Sequence, residues 1–173
     1  MPSTEKPFHI RDAGTDEFDA ISKLTLAVYE QYATTMTPPA WEGLKGSVMN
    51  GLATTAPVER IVAEQNSELV GSVMLFPAAV NAYGNLTGQA AIPELRLLAV
   101  TPAARGHGIG RALVEECIER THKAGEKELG IHTSISMQAA IHLYESMGFT
   151  RFPTDDFQPE GAELVTAYRL PLR

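Results

Sequence analysis

A strand, a glycine-containing loop and a helix follow one another in the middle of this 173-residue sequence, and this junction constrains the fold more than any other segment. Residues 94–100 (ELRLLAV) form an apolar-rich run of strand length. Thr101-Pro102 ends that strand, because proline cannot donate to a sheet ladder and favours extended backbone in the residue before it. The next loop contains three glycines, at positions 106, 108 and 110, and a helical pattern begins at once. The glycines are therefore predicted to lie at a helix N-terminus.

The predicted helix has an apolar side and a charged side. Ile109, Leu113 and Cys117 fall on one apolar line, and Gly125 marks the end of the helix. Pairs of opposite charge stand four residues apart in the favourable order, Glu116 with Arg120 and Glu119 with Lys123.

Glycines at such a junction let backbone N–H groups approach a bulky anion, and a helix start adds unpaired donors and partial positive charge. The spacing excludes two familiar phosphate motifs. A Rossmann turn would need glycine where Arg111 stands, and a P-loop would need lysine there. The remaining pattern is Arg105-x-x-Gly108-x-Gly110, and a glycine-rich helix start without a ligand is the alternative that these residues alone leave open.

Composition indicates one soluble globular domain spanning residues 1–173, with 44% hydrophobic and 20% charged residues. The net charge of −7 argues against a general nucleic-acid binder and leaves room for a cationic amine substrate. The single cysteine, Cys117, cannot form an intrachain disulfide. Residues 1–6 lack the layout of a leader, and no apolar run reaches membrane-spanning length, so a cytoplasmic protein without membrane partners is expected.

Periodicity elsewhere predicts the order βααββ-β-α-β-α-ββ, which implies a mixed sheet flanked by helices. Gly71 is expected to mark a bulge, Ser136 to cap the last helix, and residues 81–85 to form a loop tip. The other strands are expected at residues 8–11, 59–64, 69–76, 128–133, 149–152 and 164–170. The other helices are expected at 17–32, about 41–52 and 136–147.

Three segments resemble the GNAT superfamily of N-acyltransferases. The pattern from Arg105 to Gly110 resembles the family's acyl-CoA pyrophosphate loop, Q/R-x-x-G-x-G/A, and residues 94–100 resemble its fourth strand. Residues 140–149 resemble its A-x-x-x-Y-x-x-x-G-F segment, and the element order is similar from Phe8 to Leu172. The resemblance implies an α/β (α+β) fold with a mixed, mostly antiparallel sheet of six to seven strands and about four helices. Met137 departs from it, because many members carry Asn there.

The resemblance also implies an activity, the transfer of an acetyl group from acetyl-CoA to a primary amine in a ternary complex. A covalent acyl-enzyme on Cys117 is not expected, since that residue lies on the packed side of a helix. No metal is expected, because His132 and His142 lack ligand spacing and are interpreted as structural. The acceptor could be a small-molecule amine or a protein or peptide amine, and a homodimer is left open.

The resemblance assigns three residues to catalysis. Tyr144 would protonate the leaving sulfur, Glu94 would act as general base, directly or through a water, and the Leu98 N–H would face the thioester carbonyl. By period two, Glu94 is expected on the same strand face as Arg96, Leu98 and Val100. An ion pair of Glu94 with Arg96, or a charge at the rim of the site, is the alternative to the role of base. The predicted cofactor-binding residues are Leu98, Ala99, Val100, Arg105, Gly106, His107, Gly108, Ile109, Gly110, Arg111, Ala140 and Leu143.

The acceptor site is weakly encoded. The linking region from Tyr29 to Thr55, with Tyr32, Met36 and Trp41, is expected to border it, together with the acidic loop that carries Asp155, Asp156 and Glu160. Two other functions stay open on sequence alone: a non-catalytic acyl-CoA-binding sensor, which the change at Met137 favours, and a scaffold that binds neither substrate.

Overall fold

One mixed sheet runs through the computed structural model, which describes residues 7–78 and 92–173. Its strands are β1 (His9–Asp12), β2 (Glu59–Gln65), β3 (Glu68–Phe76), β4 (Glu94–Val100), β5 (Glu128–Ser134), β6 (Thr150–Arg151) and β7 (Val165–Pro171). Their order is β1-β2-β3-β4-β5-β7-β6, and within the described chain the pairing of β4 with β5 is the parallel one.

Helices cover both faces of the sheet. They are α1 (Phe18–Tyr29), α2 (Pro38–Leu52), α3 (Ile109–Lys123) and α4 (Gln138–Ser146). The mostly antiparallel sheet with helices on both sides confirms the predicted fold class. None of the helices in these two ranges is both long and apolar enough to span a bilayer.

The larger core lies between the sheet and the pair α3 and α4. The predicted apolar line of α3 is fully buried against the strands, and Ile109 and Leu113 pack directly over Gly71. A Cβ at Gly71 would lie 3.1 Å from both side chains, so glycine permits this close approach. The register of β2 and β3 slips beside Gly71, which confirms the expected bulge.

Local boundaries differ from the expectations in two places. Helix α2 begins at Pro38 rather than near Trp41, because Thr37 caps it and proline is tolerated in a first turn. Ser136 does not cap α4; its hydroxyl donates to the Glu163 carboxylate at 2.6 Å, and Met137 occupies the N-cap position. The loop predicted at residues 81–85 lies outside the described residues.

The strands β4 and β5 separate soon after they meet. Their register pairs Glu94 with Gly130, and the Gly130 N–H donates to the Pro93 carbonyl at 2.9 Å. A Cβ at Gly130 would lie 3.0 Å from Ile92 Cδ1, so glycine permits this close contact. Beyond this point the described chain shows no further β4–β5 pairing, while β5 continues along β7 to Ser134. A gap therefore opens between the two strands toward their C-terminal ends.

A β-bulge in β4 decides which backbone groups face that gap. Leu97 has φ of +59°, and the register on β3 moves from Arg96 opposite Met74 to Ala99 opposite Ser72. One extra residue therefore lies in β4 at this point, which reverses the alternation of the strand. A left-handed leucine is strained, at a cost of roughly 1–2 kcal/mol.

The bulge corrects the predicted placement of Glu94. Glu94 and Arg96 lie opposite Phe76 and Met74, on the face covered by α1 and α2. Leu98 instead packs against the core on the α3 and α4 face. The expectation that Glu94 and Leu98 share a face was wrong, because a strict period of two cannot pass through a bulge.

Glycines in α2 provide a stability test. Gly46 is exposed, with no atom within 4 Å of a Cβ built on it, whereas a Cβ at Gly51 would lie 2.9 Å from Arg96 Nη1. We expect Gly46→Ala to raise the free energy of unfolding by about 0.5–1 kcal/mol, because alanine loses less backbone entropy in a helix. Gly51→Ala should lower it by about 1–3 kcal/mol through overpacking. Urea unfolding of both variants checks this, and equal shifts would contradict the packing at Gly51.

Candidate active site

A cavity of about 1120 Å³ occupies the gap between β4 and β5 and extends beneath α2. Eleven of the predicted site residues line it: Leu98, Val100, Arg105, Gly106, Gly108, Ile109, Gly110, Arg111, Ala140, Leu143 and Tyr144. Glu94, Ala99 and His107 do not line it. Ala99 is fully buried in the sheet, and Glu94 is hydrogen-bonded to His132, which does line the cavity.

The glycine loop forms one mouth of the cavity. Gly106 and Gly108 have φ of +83° and +81°, and a Cβ on either would meet no atom within 4 Å. Gly108 is the N-cap of α3 and has no side chain to cap this helix. Within the described ranges no side chain caps the first turn, whose residues Ile109, Gly110 and Arg111 line the cavity mouth and carry N–H groups without helical partners.

Two arginines flank this loop. Arg105 Nε donates to the Val100 carbonyl at 3.3 Å, and Arg111 Nη2 donates to the Ser146 hydroxyl at 3.2 Å. Both side chains are exposed and line the cavity. This mouth therefore combines backbone donors with two positive charges, which suits an anion such as a diphosphate.

The free edge of β4 supplies further donors along the cavity. The Thr101 N–H donates to the Val70 carbonyl on β3 at 2.9 Å. Since N–H directions alternate along a strand, the Leu98 and Val100 N–H groups point away from β3, into the gap. Without the bulge at Leu97, the Leu98 N–H would point toward β3 instead. An extended, amide-containing chain could therefore pair with this edge as an added strand.

Tyr144 reaches the cavity from α4. Its ring is 5% exposed and packs against Phe149, with ring centroids 5.8 Å apart. The turn after α4 holds the helix end in place, because the Phe149 N–H donates to the Tyr144 carbonyl and Gly148 adopts φ of +97°. The side chain that the sequence singled out is thus fixed in the cavity wall opposite the β4 edge.

Glu94 forms a buried pair with His132. On sequence alone, His132 is interpreted as a structural histidine. Glu94 Oε2 lies 3.0 Å from His132 Nδ1, and His132 Nε2 lies 2.9 Å from the Asp155 carbonyl. A carbonyl oxygen only accepts, so Nε2 carries a hydrogen, and a carboxylate favours a hydrogen on Nδ1 as well. The arrangement therefore stabilises the doubly protonated imidazolium.

The pKa of His132 follows from this arrangement. Burial lowers the pKa, but the hydrogen bond and charge of Glu94 and the carbonyl of Asp155 outweigh it and leave the pKa raised above 6.5. The His132 ring also lines the cavity. The sequence places His132 two residues after Gly130, on the same face of β5, but the register that sets Gly130 opposite Glu94 is visible in the structure alone.

We expect Glu94→Gln to lower the pKa of His132, because the amide removes the negative charge that holds the second proton. NMR titration of the histidine ring protons measures this pKa. Glu163→Gln is the control, because Glu163 also lines the cavity but accepts a hydrogen bond from Ser136 rather than pairing with His132. An unchanged pKa in Glu94→Gln would contradict the pairing.

The same pair predicts a pH dependence of stability. The pKa of His132 is raised on folding, so its contribution is complete below about pH 6.5, the ordinary value, and is lost as the pH rises through the native value. Urea unfolding of the wild type and Glu94→Gln between pH 5.5 and 8.5 should show this loss in the wild type alone.

The acidic residues expected near the acceptor are placed differently. Asp155 pairs with Arg169 at 2.8 Å and Asp156 with Arg151 at 2.7 Å. Neither these two nor Glu160 lines the cavity, and Trp41 does not line it either. The carboxylates among the described lining residues are Glu42 and Glu163. Tyr29, Tyr32 and Met36 line the cavity as expected.

Met137 has a packing role at its unusual position. It is buried with Met36 and Ala40, so α4 contacts the start of α2 across the gap. Thr133 also donates to its sulfur, at 3.5 Å. Met137 therefore makes an apolar contact between two helices at the position where many members of the resembled family carry the amide of Asn.

Two other chemistries find no support in the described ranges. Cys117 is fully buried away from the cavity, and burial raises the pKa of its thiol. The described residues contain no cluster of histidine, cysteine and carboxylate side chains arranged to hold a metal ion.

Comparison with known proteins agrees with this geometry. A family model described as an acetyltransferase (GNAT) domain matches residues 58–151, more than half of the chain. A mycothiol acetyltransferase from Paenarthrobacter aurescens is 32% identical over 117 residues, which are 61% of this chain and 35% of that protein. The chain thus spans about a third of the length of this curated relative.

Solved structures share the whole fold at low identity. The ribosomal-protein-alanine N-acetyltransferase from Brucella melitensis has a TM-score of 0.65 and 23% identity, covering 95% of this chain and 99% of its own. The paiA N-acetyltransferase from Thermoplasma acidophilum, solved in complex with coenzyme A, has a TM-score of 0.66 and 17% identity, covering 94% and 99%. At these identities the likeness concerns the fold alone.

Proposed function

This chain belongs to the GNAT acetyltransferase family, and on that premise we propose that it transfers an acetyl group from acetyl-CoA to a primary amine by direct attack in a ternary complex. One observation carries the proposal. Because of the bulge at Leu97, backbone N–H groups of β4 point into the gap between β4 and β5. The glycine loop and Tyr144 line the same gap. Acetyl-CoA would supply an activated thioester and a diphosphate, and the two ends of this cavity match those groups.

The donor side would bind through the backbone. The N–H groups from Gly106 to Arg111, with the side chains of Arg105 and Arg111, would hold the diphosphate. The edge of β4 from Leu98 to Val100 would pair with the amides of the pantetheine arm, with Ala140 and Leu143 on the opposite wall. The Leu98 N–H would then donate to the carbonyl oxygen as negative charge develops on it.

The acceptor amine must lose a proton, since an alkylammonium has a pKa near 10.4. Glu94 does not line the cavity, so its part as a base would run through His132 or a water beside it. The pair can accept a proton only after the imidazolium has lost one. Activity should therefore increase as the pH rises through the raised pKa of His132.

The leaving sulfur would take a proton from Tyr144. A phenol is protonated near neutral pH and can donate to a thiolate. A covalent route through cysteine is disfavoured, because the sequence holds one cysteine and Cys117 is buried outside the cavity. Both substrates would therefore be held together, which can account for roughly 7–11 kcal/mol of the barrier lowering.

A thiol-release assay with acetyl-CoA and a panel of primary amines tests the proposal. We expect free CoA to form in the presence of at least one amine and not in its absence. CoA binding without turnover on any amine would contradict the enzyme assignment and support an acyl-CoA sensor. Met137, the residue that favoured a sensor, now has a packing explanation, so no feature of the described residues favours that alternative.

A further inference from the structure

We propose that the acceptor is a small primary amine with an apolar body, and that the fold excludes polypeptide acceptors. The inference rests on the proposed function and deepens it. It comes from an asymmetry between the two ends of the cavity. The end at the glycine loop is open, whereas the end beneath α2 is bridged by contacts between elements on opposite sides of the gap.

The first of these contacts is apolar. Met36 and Ala40, at the start of α2, pack with Met137 at the start of α4. All three are buried, with 5–7% of their surface exposed. Tyr32 and Ala140 pack around them. The cluster crosses from one face of the sheet to the other, because the separation of β4 and β5 leaves no strand between these helices.

The second contact joins α2 to the segment before β7. A Cβ at Gly43 would lie 3.7 Å from Ala162 Cβ, and one at Gly161 would lie 3.9 Å from Pro39 Cβ. The segment is compact, because the Ala162 N–H donates to the Pro159 carbonyl at 3.0 Å. We call the two contacts together the α2 bridge, made by residues 36–43 with Met137 and residues 159–162.

The α2 bridge leaves no room for a peptide chain between its parts. An extended chain needs about 10 Å between the layers that pack on its two faces. Met36 and Ala40 instead pack directly on Met137, and a Cβ built on Gly43 would already reach van der Waals distance of Ala162. At the other end, Cβ positions at Gly106 and Gly108 meet no atom within 4 Å. The described residues thus admit a large ligand at the glycine loop and a small one beneath α2.

The lining beneath the α2 bridge indicates the chemistry of the small ligand. Tyr29, Tyr32, Met36 and Met137 supply an aromatic and thioether wall, and methionine adapts to apolar groups of different shape. Glu42 and Glu163 line the cavity next to Gly43 and Ala162, the residues of the second contact. Two carboxylates at this place attract an ammonium. Among the described lining residues, Arg105 and Arg111 stand at the opposite mouth, Arg96 donates to Ser47 and His132 pairs with Glu94.

A substrate panel tests the inference on the wild-type protein. Thiol release from acetyl-CoA is measured with phenethylamine, hexylamine, ethanolamine, a hexapeptide with a free N-terminus and a peptide with an internal lysine. We expect kcat/KM for phenethylamine or hexylamine to exceed that of either peptide by about 100-fold or more. A higher kcat/KM for a peptide, or for ethanolamine, would overturn the inference and leave the proposed function standing. Absence of turnover on every amine would overturn both.

A substitution beneath the bridge tests the route of the amine. Gly43→Leu adds a side chain to the cavity wall, along which the amine would approach the thioester, and Met49→Leu changes an exposed position of α2 that does not line the cavity. We expect Gly43→Leu to raise the KM for the amine about tenfold, with the Kd for CoA unchanged and Met49→Leu without effect. An unchanged KM in folded Gly43→Leu, judged by circular dichroism, would overturn the route. If this variant does not fold, the substrate panel still decides the inference.

Discussion

The Gly108→Asp variant is expected to lose CoA binding, with Kd rising by about 100-fold or more, because a carboxylate would stand where the diphosphate is expected to bind and would repel it. Gly108 is the N-cap of α3, with φ of +81°. A carboxylate there would accept from the first-turn N–H groups and occupy the diphosphate position. Aspartate tolerates left-handed backbone better than most residues, so the fold should survive at a modest cost in stability.

A matched control separates charge at the site from backbone strain. Gly125 has the same φ of +81° and the same open surroundings, but it follows the end of α3 and does not line the cavity. Gly125→Asp should bind CoA as the wild type does. Isothermal titration measures both, and CoA at a hundred times its Kd should stabilise the wild type by about 2.7 kcal/mol. Wild-type affinity in Gly108→Asp would place the diphosphate elsewhere.

The Tyr144→Phe variant is expected to lower kcat by about 10²-fold or more, the usual contribution of a general acid. The change removes only the hydroxyl and keeps the ring that packs on Phe149. The KM for acetyl-CoA should change less than kcat, because the hydroxyl would act on the leaving sulfur rather than in binding. Steady-state kinetics with the best amine of the panel provides the measurement.

Tyr168→Phe is the control for a tyrosine of similar burial. Tyr168 lies on β7, is 4% exposed and does not line the cavity. Its loss of a hydroxyl should leave kcat unchanged. If Tyr144→Phe also retained the wild-type kcat, Tyr144 would have no part in the chemistry and would serve the core alone.

The fold and the glycine-loop end of the cavity could be predicted from local sequence. The glycines at 106, 108 and 110, the proline that ends β4 and the apolar line of α3 are all short-range signals. The expected β4 boundaries, residues 94–100, agree with the structure, and α3 ends at Lys123, two residues before the predicted stop at Gly125. Sequence neighbours dictate these features, since turn chemistry and helical periodicity act over a few residues.

The bulge at Leu97 could not be read from the sequence. The run of residues 94–100 contains no glycine or proline to mark it. Leu97 adopts its strained backbone because the strand is fixed by pairing on both sides of the bulge, with Arg96 opposite Met74 and Ala99 opposite Ser72. The expected shared face of Glu94 and Leu98 was wrong for this reason. A period-two argument holds only where the register is continuous.

The Glu94–His132 pair and the acceptor side depend on contacts between distant segments. Glu94 and His132 are 38 residues apart, and they meet because Gly130 brings β5 against the start of β4. The acidic loop was expected to face the acceptor, but Asp155 and Asp156 pair with arginines of β7 and β6. Composition shows that a loop is acidic, whereas only the tertiary structure shows which of its charges are already neutralised.

The most direct test of the central claim is a crystal structure of the protein with CoA. The account predicts diphosphate oxygens at about 2.9 Å from the N–H groups of the loop from Gly106 to Gly110. It also predicts the pantetheine amides paired with β4 at Leu98 and Val100, and the sulfur beside Tyr144. A CoA molecule bound elsewhere, or a gap closed by hydrogen bonds between β4 and β5, would contradict it.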